Sequence, residues 1–311
     1  MCSSDEGKIS RRSSRKVKPL EDIEPTNFVK TTYTYGAPPT KQGPRDLLVD
    51  LYTPRNVVGP WPLVTWLHSG GFRSGTRRNR KHGIVADAFA RRGYASAFLD
   101  YRLARPPAIL TRPARQLVPK LIEDSEKHGE EMQESFRRQR PIAVVEDVCS
   151  FYQWIEGRQT EFRLNGEHIL AGSSSGGISV LNSLMLHEAI DQQLPKIRSA
   201  FVFSGGFAYP SYWKDGDTRI LALHNPNDAH VPFSSINRIE SLARENFKLL
   251  VSAQHAHGSF SLTPEQHSSD AVDYLIAFDR RVPPQPTSPK WHVISRQGRR
   301  IKRTDQAFCA H

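Results

Sequence analysis

Short apolar runs alternate with amphipathic segments along most of this chain, and this alternation is what most constrains its fold. Strand-like runs have buried or alternating patterns, whereas the segments between them repeat apolar residues at helical spacing. The predicted strands are 46–53, 61–67, 94–101, 168–171, 200–203, 219–223 and 247–251, and the predicted helices are 82–92, 119–138, 141–155, 177–188, 234–245 and 264–278. Such an order predicts an α/β fold class, with a mostly parallel central sheet and helices on both faces.

One turn between a predicted strand and a predicted helix carries a chemical motif. Residues 172–177 read Gly-Ser-Ser-Ser-Gly-Gly, which satisfies G-x-S-x-G with Ser174 at the centre. Glycines on both sides suit a serine held on a sharp strand-to-helix turn, so the pattern predicts that Ser174 is a nucleophile. Two alternatives are a plain connecting turn and a phosphate-binding turn, but no P-loop lysine follows the glycines.

A second loop could stabilise the oxyanion that a serine attack creates. Residues 68–72, His-Ser-Gly-Gly-Phe, follow the apolar run 61–67, and consecutive glycines let neighbouring N–H groups face one point. We expect the backbone N–H groups of Gly70, Gly71 and Ser175 to bind the oxyanion. An ordinary flexible loop is the alternative.

The serine needs a base and an acid that orients the base. His257 is the predicted base because it follows the strand 247–251 and precedes a glycine, while His255 remains an alternative two residues away. Asp228 is the only carboxylate in the loop after the strand 219–223, and an aspartate of an ordinary Asx-turn is its alternative. The resulting chain order, serine, aspartate and histidine, is one of the known orders of the triad.

These motifs together resemble the α/β-hydrolases, and within them the carboxylesterases related to hormone-sensitive lipase and to arylformamidases. The resemblance spans about residues 46–278. Residues 68–72 are similar to the H-G-G-G-[FW] motif, residues 100–104 match D-Y-R-L-A, and residues 170–177 resemble the G-D-S-A-G-G segment. Residues 224–232 resemble the acid loop, in which an aspartate precedes V-x-P or V-P.

Two departures from the family pattern matter for the chemistry. Ser69 replaces the first glycine of the oxyanion motif, and the two consequences to be expected are a narrower oxyanion hole or donation by Gly70 and Gly71 instead. Ser173 replaces the acidic residue before the nucleophile, which argues against the strict G-D-S-A-G subgroup.

The resemblance implies a serine carboxylesterase that cleaves a short-chain or aryl ester without a metal or cofactor. Hydrolysis of an N-formyl amide or a thioester, and ligand binding without catalysis, are the alternatives.

The net charge of +11 is concentrated at the two ends of the chain. Residues 1–18 carry a net +4 and residues 281–311 a net +6, so the rest is close to neutral. We therefore predict a disordered basic tail over 1–20, a hydrolase domain over 21–280 with a lid-like helical insertion at about 103–140, and a basic C-terminal tail over 281–311. No nucleic-acid-binding motif accompanies the charge, so nucleic acid is not an expected partner.

The cysteine content favours a reducing compartment. Cys2, Cys149 and Cys309 form neither a disulfide framework nor a metal-ligand spacing. Neither a membrane-spanning run nor a secretory signal is visible, so we expect a cytoplasmic protein that does not bind membranes. The sequence leaves a homodimer open.

Overall fold

The computed structural model describes residues 27–251, 257–258, 268–282, 293–294 and 300–301 of the chain. Its strands are β1 (Phe28–Gly36), β2 (Pro39–Thr40), β3 (Gly43–Pro44), β4 (Leu47–Pro54), β5 (Trp61–Leu67), β6 (Ala95–Leu99), β7 (Leu164–Ser173), β8 (Ile197–Phe203), β9 (Arg219–His224), β10 (Phe247–Val251), β11 (Val293–Ile294) and β12 (Arg300–Ile301). Its helices are α1 (Arg80–Ala90), α2 (Arg112–Lys127), α3 (Gln139–Glu156), α4 (Ser175–Leu186), α5 (Ser234–Leu242) and α6 (Ser268–Arg280). Single 3₁₀ turns lie at Glu134–Phe136, Glu188–Ile190 and Pro210–Tyr212.

Eight of the strands form one sheet in the order β1-β4-β6-β5-β7-β8-β9-β10. The pairs β1·β4 and β4·β6 are antiparallel, and the pairs from β6 to β10 are parallel. The mostly parallel sheet predicted from the sequence is therefore present. Parallel strands point the same way, so their carboxyl ends lie along one side of the sheet, which is called the sheet edge of the active site below. The strands β5, β7, β8, β9 and β10 all end there.

The two faces of the sheet each bury a separate apolar cluster. Neighbouring strand residues alternate between the clusters, as the period of two requires: Leu170 faces one side and Ile169 and Ala171 face the other. Helices α2 to α5 cover the first face, and α1 and α6 cover the second. Helices lie on both faces, as predicted.

The insertion helix begins earlier than predicted. The sequence interpretation places its start near Pro119 and its end near Arg138, but α2 spans Arg112–Lys127 with Pro119 inside it. Thr111 is the N-cap, and its hydroxyl accepts a hydrogen bond from the N–H of Ala114. The predicted start is therefore wrong: proline is most common in the first turn of a helix, but α2 contains Pro119 within its length.

Strand β1 is absent from the prediction. It pairs with β4 at the sheet edge and carries mostly exposed side chains, so it has little apolar signal.

The ends of the chain are only partly described. The predicted tail 1–20 and the cysteines Cys2 and Cys309 lie outside the described residues. In the predicted C-terminal tail, β11 pairs with β12 in antiparallel register. Within the part of the chain that the structure describes, no helix combines the length and apolarity that crossing a bilayer requires.

Candidate active site

Ser174 sits on a strained turn between β7 and α4. Its backbone has φ 56° and ψ −121°, a conformation that is costly for a residue with a side chain. The turn is held in place because the Ser174 N–H donates to the Phe203 carbonyl at 2.8 Å and its own carbonyl accepts from Ile178 at 2.9 Å. The side chain is therefore presented at the sheet edge, at the positive end of α4.

Gly176 brings the serine turn against the end of β5. A Cβ at this position would collide with the carbonyl oxygens of Leu67 and His68. Only glycine allows this close approach of two backbones. The contact sets the loop of residues 68–72 beside the N-terminus of α4, so the oxyanion donors predicted from the sequence lie on adjoining segments.

The loop of residues 68–72 bends through glycines that no other residue could replace cheaply. Gly70 has φ 129°, and a Cβ there would collide with the Ser74 carbonyl oxygen, while Gly71 has φ 61°. Among the described residues, none accepts a hydrogen bond from the backbone N–H of Gly70, Gly71 or Ser175. Three N–H groups on two adjoining loops thus have no acceptor among the described residues.

His68 holds this loop as a neutral imidazole. It is buried, and burial lowers its pKa to about 4, since a buried imidazolium loses its hydration. Its Nδ1 lies 2.7 Å from the Ser69 carbonyl oxygen, so the Nδ1–H tautomer donates there. The ring stacks on Tyr101 at 4.1 Å between centroids, and the Tyr101 hydroxyl donates to the His68 carbonyl at 2.7 Å.

The low pKa of His68 predicts that the fold loses stability in acid. The His68 imidazole takes up a proton near pH 6.5 in the unfolded chain and near pH 4 in the folded chain. The stability that the neutral imidazole contributes is therefore complete above pH 6.5 and is lost as the pH falls toward 4. His68 alone should lower the free energy of unfolding by about 3 kcal/mol over that interval. Urea denaturation at a series of pH values measures this loss, and a His68→Gln variant should show a shallower dependence. Equal slopes for the two proteins would contradict the prediction.

His257 joins the serine to an aspartate. Its Nε2 lies 2.7 Å from the Ser174 Oγ, and its Nδ1 lies 2.7 Å from the Asp228 Oδ2. The imidazole is partly exposed, at 23%, while the Asp228 side chain is fully buried. Three residues from separate loops at one sheet edge therefore form a continuous hydrogen-bonded line. His255, the alternative histidine, lies outside the described residues.

Asp228 is held as a carboxylate. Burial alone would raise its pKa, but the hydrogen bond to His257 and the N–H groups of Val231 and His230 lower its pKa to about 2. Those N–H groups donate to Oδ1 at 3.0 and 2.8 Å, which leaves Oδ2 for His257. The ionised group fixes the Nδ1–H tautomer of His257 and directs the Nε2 lone pair at Ser174.

His224 supports the acid loop, a role that the resemblance of residues 224–232 does not assign to it. It is buried, with its Nε2 3.0 Å from the Val231 carbonyl oxygen and its Nδ1 3.0 Å from that of Gly205. Burial lowers its pKa. Its position at the last residue of β9, four residues before Asp228, is the sequence signal that could have identified it.

The insertion forms an apolar wall beside the candidate oxyanion loop. The Phe136 ring lies 3.6 Å from where a Cβ on Gly71 would be, and the Met132 methyl lies 2.9 Å from where a Cβ on Gly206 would be. Both side chains are buried. A cavity of about 340 Å³ lies at the other end of the strands, near the start of β8. Trp213 and Ile197 are among the residues that line it.

The described residues do not form a metal site. Within residues 27–251, 257–258 and 268–282, no three histidine, cysteine, aspartate or glutamate side chains converge as metal ligands would. Cys149 is a buried free thiol, and burial raises its pKa to about 12.

Known proteins resemble this chain mainly in structure. A family model described as BD-FAE matches residues 49–117. Among curated proteins, no sequence matches the chain. A thermophilic esterase of the Planctomycetes species Thermogutta terrifontis, with propionate bound, has 15% sequence identity and a TM-score of 0.56, covering 80% of this chain and 93% of that one.

Two further solved structures show the same likeness. Thermogutta terrifontis esterase 2 phosphorylated by paraoxon has 16% identity and a TM-score of 0.55, covering 87% of this chain and 100% of that one. A bacterial heroin esterase has 16% identity and a TM-score of 0.55, with coverage of 84% and 86%. The chain therefore has the α/β-hydrolase fold, and the resemblance to esterases of this fold that the sequence indicates is confirmed.

Proposed function

We propose that this chain is a serine carboxylesterase that hydrolyses its substrate through an acyl-enzyme on Ser174. The observation that carries the proposal is the line from Ser174 through His257 to Asp228, with two hydrogen bonds of 2.7 Å. A serine hydroxyl is a weak nucleophile alone and becomes reactive when a base removes its proton during attack.

The acylation step uses each member of this line in one role. The Ser174 Oγ attacks the ester carbonyl carbon while the His257 Nε2 takes the hydroxyl proton, and Asp228 stabilises the imidazolium. The tetrahedral intermediate then collapses, His257 returns the proton to the departing alkoxide, and the alcohol leaves. Water repeats the sequence on the acyl-enzyme and releases the carboxylic acid.

Charge on the carbonyl oxygen is stabilised by the two adjoining loops. We assign the backbone N–H groups of Gly70, Gly71 and Ser175 to the oxyanion hole, since they have no acceptor among the described residues. The helix dipole of α4 adds to this field because the nucleophile lies at its N-terminus. These donors are fixed by the fold before substrate arrives, so they reorganise little during the reaction.

The wall formed by Phe136 and Met132 favours a short-chain or aryl ester. Phe136 lies against Gly71 in the loop that carries the oxyanion donors, and Met132 lies against Gly206 in the loop after β8. We expect the acyl group of a bound ester to begin beside Phe136. Bound propionate in the Thermogutta esterase and paraoxon phosphorylation of the same protein support a small acyl group and an activated nucleophile.

Two assays on the wild-type protein test the proposal. A fluorophosphonate probe should label Ser174, as located by peptide mass spectrometry. p-Nitrophenyl esters of graded length should show the highest kcat/KM between acetate and butyrate, with a decline for longer chains. A thioester and an N-formyl anilide in the same panel test the two alternative reactions. Binding of these esters without turnover or labelling would leave a non-catalytic binding protein and reject the proposal.

Replacing Gly70 with alanine should damage the oxyanion hole. The new Cβ would collide with the Ser74 carbonyl oxygen, so the loop must shift and its N–H groups lose their aim. Loss of one such donor costs about 10²- to 10³-fold in kcat. Gly43→Ala is the matched control, because Gly43 also has a positive φ, 103°, but no atom within 4 Å of the added Cβ. Similar kcat values for the two variants would remove Gly70 from the assignment.

A further inference from the structure

Gly258, which directly follows His257, forms hydrogen bonds with two serine hydroxyls. The Ser173 Oγ donates to the Gly258 carbonyl at 3.1 Å, and the Ser204 Oγ accepts from the Gly258 N–H at 3.0 Å. The two peptide groups that flank Gly258 are therefore both engaged. Gly258 has φ 73°, and a Cβ there would lie 3.1 Å from the Ser173 Oγ.

The two serines are themselves fixed to the rigid edge of the sheet. Ser173 is the last residue of β7 and pairs in register with Phe203. Ser204 follows β8 with φ 47°, and its N–H donates to the Leu223 carbonyl at 2.8 Å. Both side chains are buried, so solvent competes little for their hydroxyls.

We propose that Ser173 and Ser204 act as positioning residues that clamp Gly258 and so hold the His257 imidazole against Ser174. The inference rests on the proposed function for its kinetic consequence. The Gly258 nitrogen is bonded to the His257 carbonyl carbon. The hydrogen bond from the Gly258 N–H therefore holds the peptide group that joins the two residues. A displacement of about 1 Å at a reacting group can cost about 10²-fold in rate, which makes such anchoring consequential.

The clamp gives a role to a departure from the family pattern. Ser173 stands where the motif that this chain resembles has an acidic residue. A hydroxyl can donate to the Gly258 carbonyl, whereas an ionised carboxylate only accepts and would face that oxygen with like charge. Restoring the family residue in this chain should therefore weaken the active site.

Four variants test the clamp with p-nitrophenyl acetate as the substrate. Ser173→Ala and Ser204→Ala should each lower kcat about fivefold, as expected for one lost hydrogen bond, with KM within twofold of the wild type. Ser173→Thr keeps the hydroxyl and should restore kcat. Ser173→Asp should lower kcat at least as much as Ser173→Ala, although it restores the acidic residue of the family motif.

Ser199→Ala is the matched control. Ser199 is a buried serine on β8, and its hydroxyl accepts from Arg219, on the next strand of the sheet. The control should leave kcat unchanged, which separates clamp loss from the general cost of removing a buried hydroxyl. Thermal denaturation of all variants identifies any that are unfolded.

Hydrogen exchange supplies a readout that does not depend on turnover. The peptide containing Gly258 should exchange faster in Ser173→Ala and Ser204→Ala than in the wild type or Ser199→Ala. Unchanged exchange together with kcat within twofold would overturn the clamp. Faster exchange in a protein whose wild type neither hydrolyses esters nor reacts with the fluorophosphonate would uphold the clamp and reject the esterase function, so the two failures are distinguishable.

Discussion

Replacing Ser174 with alanine is expected to lower kcat for p-nitrophenyl acetate about 10⁶-fold, to a residual rate set by binding and the oxyanion donors. The reason is that the variant removes the atom that forms the acyl bond in the proposed mechanism, whereas the hydrogen bond between His257 and Asp228 stays in place. Alanine is also smaller than serine, so the strained turn at φ 56° has room for it. Steady-state assays on enriched protein, with single-turnover controls for contaminating esterases, measure the change.

The matched control for this variant is Ser183→Ala. Ser183 is a buried serine about two and a half turns further along α4, and its hydroxyl has no partner among the described residues. Its removal should leave kcat and the melting temperature close to wild type. A Ser174→Ala protein that retained more than a few per cent of the wild-type kcat, with Ser183→Ala unchanged, would show that another residue is the nucleophile.

Replacing Asp228 with asparagine is expected to lower kcat about 10⁴-fold. The amide keeps the size of the side chain, and its oxygen can still accept from the Val231 and His230 N–H groups. Its NH₂ group, however, would face the His257 Nδ1 and favour the tautomer that carries the proton on Nε2. That tautomer cannot accept the Ser174 proton, so the base is lost while the fold remains.

An exposed aspartate provides the control for this prediction. Asp217 is 83% exposed and pairs with Lys196 near the start of β9. Asp217→Asn should leave kcat unchanged, because a surface ion pair contributes little and lies at the opposite sheet edge. Fluorophosphonate labelling should slow in Asp228→Asn but not in Asp217→Asn. Equal labelling rates would show that Asp228 does not orient the base.

Local sequence signals predict the elements that carry the chemistry. The strand-turn-helix around Ser174 is visible because a buried apolar run, a glycine-rich turn and helical spacing follow one another without a gap. The strands 219–223 and 247–251 are visible for the same reason, and they match β9 and β10 closely. These signals concern neighbouring residues, so a single sequence contains them.

The errors arise where tertiary contacts, and not the local pattern, decide the structure. Strand β1 has mostly exposed side chains and is stabilised by its pairing with β4, a partner distant in sequence. Helix α2 accepts Pro119 in its interior while its apolar residues Leu117 and Leu121 pack into the core. Propensity alone places the start of α2 too late because tertiary packing outweighs the cost of one proline.

The sequence by itself determines which residue types are available for the chemistry and that their loops each follow a strand of a parallel sheet. The tertiary structure decides the distances: it brings the His257 imidazole within 2.7 Å of both Ser174 and Asp228, and it turns the Ser173 and Ser204 hydroxyls toward one glycine. The physical reason is that a hydrogen bond depends on tenths of an ångström and on direction. Those quantities are fixed by strand register and by the close backbone contact at Gly176. Both features join residues that lie tens of positions apart in the chain, so the local sequence pattern does not reveal them.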